Sequence, residues 1–199
     1  MIWEFLFAVL LIELTPGPNM AYLATLSLQE GRRAGLLAIA GIVLGLSVYL
    51  GLAAAGLGTL VAAQPALLQV LRWAGVAYLL YLAWEAWSPQ TETSPSALGS
   101  LNGNHPFVRG LIANLLNAKA AIFYAALLPR FVDPAGPPFW VQTLGLGAVH
   151  IATATTIHLA IVLGASRAKG LTAQAAGTKA LRLAFAGAIA ATALWLAVS

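Results

Sequence analysis

The 199-residue chain contains no cysteine, and only 8% of its residues carry charge. The first absence excludes disulfides, thiolate metal sites and thiol nucleophiles, and it leaves the redox compartment unread. The second sets the chain apart from soluble domains, in which about a quarter of residues are charged. Hydrolytic and nucleotide signatures are missing as well. There is no Gly-x-Ser-x-Gly, no His-Glu-x-x-His and no phosphate-binding glycine loop, and the one aspartate, Asp133, falls in a proline-rich turn. An enzyme, a metal site, a cofactor or a nucleotide-driven pump is therefore not expected.

What is present is hydrocarbon: 60% of residues are hydrophobic and the mean hydropathy is +0.86. The chain reads as an all-α, multi-pass membrane protein. Runs of roughly 20 apolar residues, enough to cross a bilayer, begin at Ile2, Ala34, Ala66, Phe107 and Phe139, with a sixth ending near Val198. The amino terminus lacks a basic n-region and is expected to be retained as the first span. Between the third and fourth spans, Ser88 to Pro106 is rich in Ser, Thr, Pro, Gly and Asn and reads as a solvated linker. This divides the chain into a three-helix half (1–87), a linker (88–106) and a second half (107–199). Two halves with an odd number of spans insert in opposite orientations, so a 3+3 inverted repeat is expected. Its sequence trace is faint, resting on Leu71-Arg72 and Leu181-Arg182 at the openings of spans three and six.

The net charge of +4 is explained by topology, not by nucleic acid. Connections one-two, three-four and five-six hold Arg32, Arg33, Arg109, Arg167, Lys169, Lys179 and Arg182, whereas the opposite side holds Arg72 and Arg130. Positive-inside places both termini outside, which in a bacterium is the periplasm, and the linker in the cytoplasm. The tryptophans Trp3, Trp73, Trp84, Trp87, Trp140 and Trp195 fall near span ends, where amphipathic rings favour the headgroup zone.

One stretch breaks the apolar pattern. Leu14-Thr15-Pro16-Gly17-Pro18-Asn19 lies inside the first span, and two prolines flanking a glycine should stop a helix there. Broken backbone is tolerated in a membrane where it is buried in protein or lines a wet cavity. Such a break offers donors for a carboxylate and acceptors for an ammonium at one depth, which suits a zwitterion. Glu13 lies about eleven residues into this span, roughly 16 Å deep at about 1.5 Å per residue. Intramembrane acids are functional candidates, and Glu13 is the candidate proton-coupling group, because burial disfavours a carboxylate and a nearby ammonium favours it. The alternative is a protonated acid that satisfies the kinked backbone. Lys119, at similar depth in span four, either handles substrate or partners Glu13 and the loose carbonyls. Asn114 and Asn117 complete a polar shell or serve as inter-helix glue. On span five, His150 and His158 are candidate proton relays or neutral interface histidines, and Thr153 shares a face with His150. Gly41 and Gly45 form a small-xxx-small packing step.

These residues also carry a family resemblance. Residues Leu14 to Asn19, then Gly31-Arg32-Arg33-Ala34-Gly35, Gly41-Ile42-Val43-Leu44-Gly45 and Ala74-Gly75-Val76-Ala77-Tyr78-Leu79, resemble the lysine exporter and homoserine/threonine exporter (LysE/RhtB) family in order and spacing. Asn117-Ala118-Lys119-Ala120 followed by Leu127-Leu128-Pro129-Arg130-Phe131-Val132 is similar to its fourth-span signature, except that Ala118 stands where the family pattern usually has proline. The resemblance covers nearly the whole chain and implies an inner-membrane exporter of amino acids or close derivatives, driven by proton exchange. Substrate contacts are then expected at Thr15, Pro16, Gly17, Pro18, Asn19, Asn114, Asn117 and Lys119. The expected partners are an amino acid, protons and the lipid bilayer, and small-residue faces allow a homodimer. A passive channel or a non-transporting assembly subunit is the competing class, separated by accumulation against a gradient in energised vesicles. Ala118 leaves open whether span four is broken.

Overall fold

The computed structural model describes residues 2–15, 17–56, 65–87 and 105–172, with isolated positions between 183 and 194. Most of the expected sixth span and nearly all of the expected 88–106 linker fall outside the described residues, as does Pro16. Among the described residues every regular element is helical and there is no strand.

The first apolar run forms two helices rather than one. Helix α1 (Ile2–Leu14) stops at Thr15, whose hydroxyl and amide both turn back to the Leu11 carbonyl, at 2.6 and 3.1 Å. Helix α2 (Pro18–Gln29) starts with proline at its first position, where the missing N–H costs nothing and the fixed φ suits a helix. The two axes differ by 53°. Gly31, at φ 92°, ends α2; only glycine adopts this backbone freely, and its amide returns to the Ser27 carbonyl at 3.0 Å.

Helix α3 (Arg32–Ala54) runs through the centre, packed on helices from both halves of the chain. Helix α4 (Pro65–Trp87) coincides with the expected third span. Span four begins as α5 (His105–Leu115), and its contact with α3 depends on small residues. A methyl on Gly41 would strike the Phe107 carbonyl, and one on Gly110 would strike the Ala38 carbonyl. Gly45 has Asn114 Oδ1 2.6 Å from where its methyl would stand. The glycine step is a close backbone crossing, as its spacing implies.

Span four is broken despite Ala118. After a turn at Leu116, α6 (Ala118–Ile122) restarts on Asn117, which has extended backbone and accepts a bond from the Lys119 amide at 3.0 Å. A π-helical turn (Phe123–Leu127) and a 3-10 turn (Leu128–Phe131) follow, and the segment lies 51° from α5. Asparagine is a strong helix N-cap, so a capping side chain does here what proline does in the first half.

Helix α7 (Phe139–Thr172) is longer than the sequence reading, which ended span five near Gly164. Gly164 sits in open space, and a lone glycine costs a helix about 1 kcal/mol without stopping it, so the helix continues into the basic segment. Two helices, Arg32–Ala54 and Phe139–Arg167, are long and apolar enough to cross a bilayer, and counting each bent pair as one span brings the described total to four. Phe7, Leu11, Trp3, Trp73, Trp84 and Trp140 are exposed while Glu13, Asn114, His150 and His158 are buried. That inversion of the soluble pattern is what a lipid-facing exterior requires.

Candidate functional site

Each half contributes one end of a broken helix, and the two ends meet. Lys119, at the start of α6, extends across to α1 and donates from Nζ to the Ile12 carbonyl at 2.7 Å and to the Thr15 carbonyl at 3.3 Å. The last carbonyls of a helix have no intrahelical partner and form its negative pole. An ammonium is the natural cap for such a pole. The carbonyl freed at the other break, that of Leu115, accepts from the Tyr49 hydroxyl of α3 at 2.6 Å. Both breaks are therefore satisfied by side chains from elsewhere, as burial in hydrocarbon demands.

Glu13 is 6% exposed and lies between two histidines. Its Oε1 is 3.2 Å from His150 Nε2 and its Oε2 is 3.8 Å from His158 Nε2. The histidines are eight residues apart on α7, about 80° around the helix at 100° per residue. Ala154, fully buried between them, keeps that turn small. His150 Nδ1 is 2.9 Å from the Tyr124 hydroxyl, and Phe123 stacks on the same imidazole at 3.9 Å between ring centroids. Consecutive residues of an ordinary α-helix point about 100° apart; the wider π turn lets Phe123 and Tyr124 both grip one ring. With Glu13 ionised and accepting, the His150 proton resides on Nε2 and Tyr124 donates to Nδ1. Tyr49 stacks on Tyr124, ring planes 13° apart, joining the second break to this chain of bonds.

Glu13, Gly17, Asn19, Asn114, Asn117, Lys119, His150 and His158 line one cavity. Its free space is about 20 Å³, room for roughly one water. Several of its polar atoms are buried without a hydrogen-bond partner: Asn19 Oδ1, both amide atoms of Asn114, and His158 Nδ1. Buried polar groups are ordinarily paired, so these atoms mark where a polar guest or water has its bonds to make. No group of side chains that could hold a metal occurs among the described residues.

The sequence-predicted residues are thus largely brought together. Thr15 is the exception: it is exposed and its hydroxyl is spent on Leu11, though its carbonyl takes part. Pro18 is buried at the start of α2, and Pro16 lies outside the described residues. Asn117 acts partly as a helix cap. Thr153 turns back to the Val149 carbonyl at 2.9 Å and adds nothing to the cluster. Sequence reasoning missed Tyr49, Phe123 and Tyr124. Tyr49 had a signal, since it sits mid-span instead of in the headgroup zone; Tyr124 had none before the π turn was known.

Comparison with known proteins agrees with this architecture. The family described as LysE type translocator matches residues 10–198. Homoserine/homoserine lactone efflux proteins of Salmonella typhimurium and Salmonella typhi are each 34% identical over 156 residues, covering 76% of this chain and 75% of theirs. An uncharacterized membrane protein of Pseudomonas aeruginosa is 33% identical over 139 residues, covering 66% of this chain and 64% of its own. No solved structure matches the chain. The match along almost its full length shows that this multi-pass membrane protein belongs to the LysE type translocator family, whose relatives are named for efflux.

Proposed function

We propose that the chain is a secondary-active exporter that expels amino acids or close derivatives from the bacterial cytoplasm in exchange for protons, binding them near mid-membrane between spans one and four. The observation that carries this reading is Glu13, a buried carboxylate bonded to His150 and sharing one cavity with Lys119. A carboxylate, an ammonium and the polar groups of a broken helix in one cavity balance in charge and suit a zwitterion. The relatives' names direct the substrate search to homoserine and its lactone. A cavity with about 20 Å³ of free space is too small for any amino acid, so it must widen to load. That need to widen supports a carrier over a passive channel.

The two breaks, one in each half and bent by similar angles, support a six-span, 3+3 inverted repeat. Arg32 and Arg33 are exposed at the start of α3, in keeping with a cytoplasmic one-two connection and periplasmic termini. A reporter fused after Ser199 should accordingly read as periplasmic; cytoplasmic activity there sinks the orientation. Small-residue exterior faces leave a homodimer open to measurement by cross-linking in membranes.

Glu13→Gln tests the coupling. It keeps size and hydrogen bonding but removes titration. In energised vesicles the variant should retain exchange of labelled substrate and lose proton-driven accumulation. If it still accumulates substrate uphill at the wild-type rate with the wild-type pH profile, Glu13 is structural and coupling belongs to His150 or His158.

A further inference from the structure

Lys119 is partly buried, and its ammonium is committed to two backbone carbonyls, those of Ile12 and Thr15. Nothing in that pair is specific for lysine: two carbonyl oxygens at the negative end of α1 accept from any N–H of a primary ammonium. The α-amino group of an amino acid, or of its lactone, is the same chemical group as Nζ. Ile12 and Lys119 also line the cavity that holds Glu13 and the unpartnered atoms of Asn19 and Asn114. While Nζ is docked, the space left is about 20 Å³, room for roughly one water and not for a substrate.

We infer that the Ile12 and Thr15 carbonyls form the subsite for the substrate's ammonium, and that Lys119 fills it in the empty carrier as a tethered stand-in that substrate displaces. This rests on the exporter reading above and deepens it, because it fixes which pole of the substrate meets which half of the protein. The ammonium goes to the end of α1. The remainder of the substrate faces Asn19 and Asn114, whose amide atoms await partners. Displaced Nζ stays within the same cavity as the Glu13 carboxylate, so loading alters the charge beside Glu13. Such a change links substrate entry to the proton site without direct contact between substrate and proton.

The test uses the full-length wild-type protein in proteoliposomes. Lys119, Lys169 and Lys179 are its lysines, so the acetylation rate of Lys119 by acetic anhydride can be read by mass spectrometry against the other two. If the carbonyl pair holds Nζ about nine-tenths of the time, saturating homoserine should raise the Lys119 rate about tenfold. Propylammonium, which has no carboxylate, should do the same, and acetate should not. A Lys119 rate that falls or stays flat with homoserine, while the same vesicles show homoserine counterflow, overturns the inference and leaves the exporter standing. Lysine would then be holding the substrate's carboxylate or not moving at all. Absence of counterflow for every amino acid in a panel overturns exporter and inference together. Lys119→Met offers a second reading where it folds: homoserine should bind about tenfold more tightly once the competitor is gone, and weaker binding counts against displacement. Where it does not fold, the wild-type labelling decides.

Discussion

The break between α1 and α2 and the break between α5 and α6 bend the chain by nearly the same angle, 53° and 51°, but different chemistry makes them. The first is written into the covalent structure, because Pro18 has no amide to donate and its ring cannot continue α1. The second contains no proline. It is held by Asn117 capping α6 and by Tyr49 taking the Leu115 carbonyl. A proline break is local and survives whatever surrounds it, whereas a capped break exists only while its partners stay in place. The second break is therefore the one whose geometry can respond to neighbouring events, and it is the one that carries Lys119.

Four substitutions, one of them a rescue, probe that contrast in order of decreasing effect. Tyr49→Phe strips the Leu115 carbonyl of its donor inside a part-buried site, and roughly 1–2 kcal/mol of stability should be lost. Unfolding in mixed micelles measures it, and an unchanged midpoint means that the second break needs no outside support. Asn117→Ala removes the cap and should cost about 1 kcal/mol. Ala118→Pro in the same chain should recover most of that loss, because position 118 is the first of α6, where proline is tolerated, and the extended backbone of Asn117 already suits a residue preceding proline. If Ala118→Pro deepens the defect, the two breaks are not interchangeable. Gly17→Ala should do least, within about 0.5 kcal/mol. The glycine has extended backbone, and an added methyl would stand 3.6 Å from Lys119 Nζ, an ordinary contact. A large loss of transport in this variant would show that Nζ or the substrate passes closer to Gly17 than the 3.6 Å seen here.

Much of the first half of the site was legible in the chain itself. Pro16, Gly17 and Pro18 forbid a continuous helix whatever they pack against, and Glu13 was conspicuous because an acid at that depth has no route to water. Gly41 and Gly45 announced a close helix crossing through their spacing alone. The second half was less readable. Ala118 is a good helix former, so its sequence argued for continuity, and the opposing preference of Asn117 for a cap becomes decisive only where Tyr49 relieves the freed carbonyl. The extent of α7 was also misjudged, since Gly164 punctuates a sequence more strongly than it interrupts a helix already paired along its length.

The sequence by itself determined the solvent, the helical class and the first break, since each follows from side-chain hydropathy or from proline's missing donor, which no context changes. Only the tertiary structure decided which groups face one another. Glu13 and His150 are 137 positions apart and Lys119 and Ile12 are 107 apart, and no local periodicity fixes how helices so distant in sequence rotate about their axes. That rotation is set by the contacts of α3 with α5 and α7. Those contacts bring a carboxylate, two histidines and an ammonium, each explicable singly as structural, to one cavity.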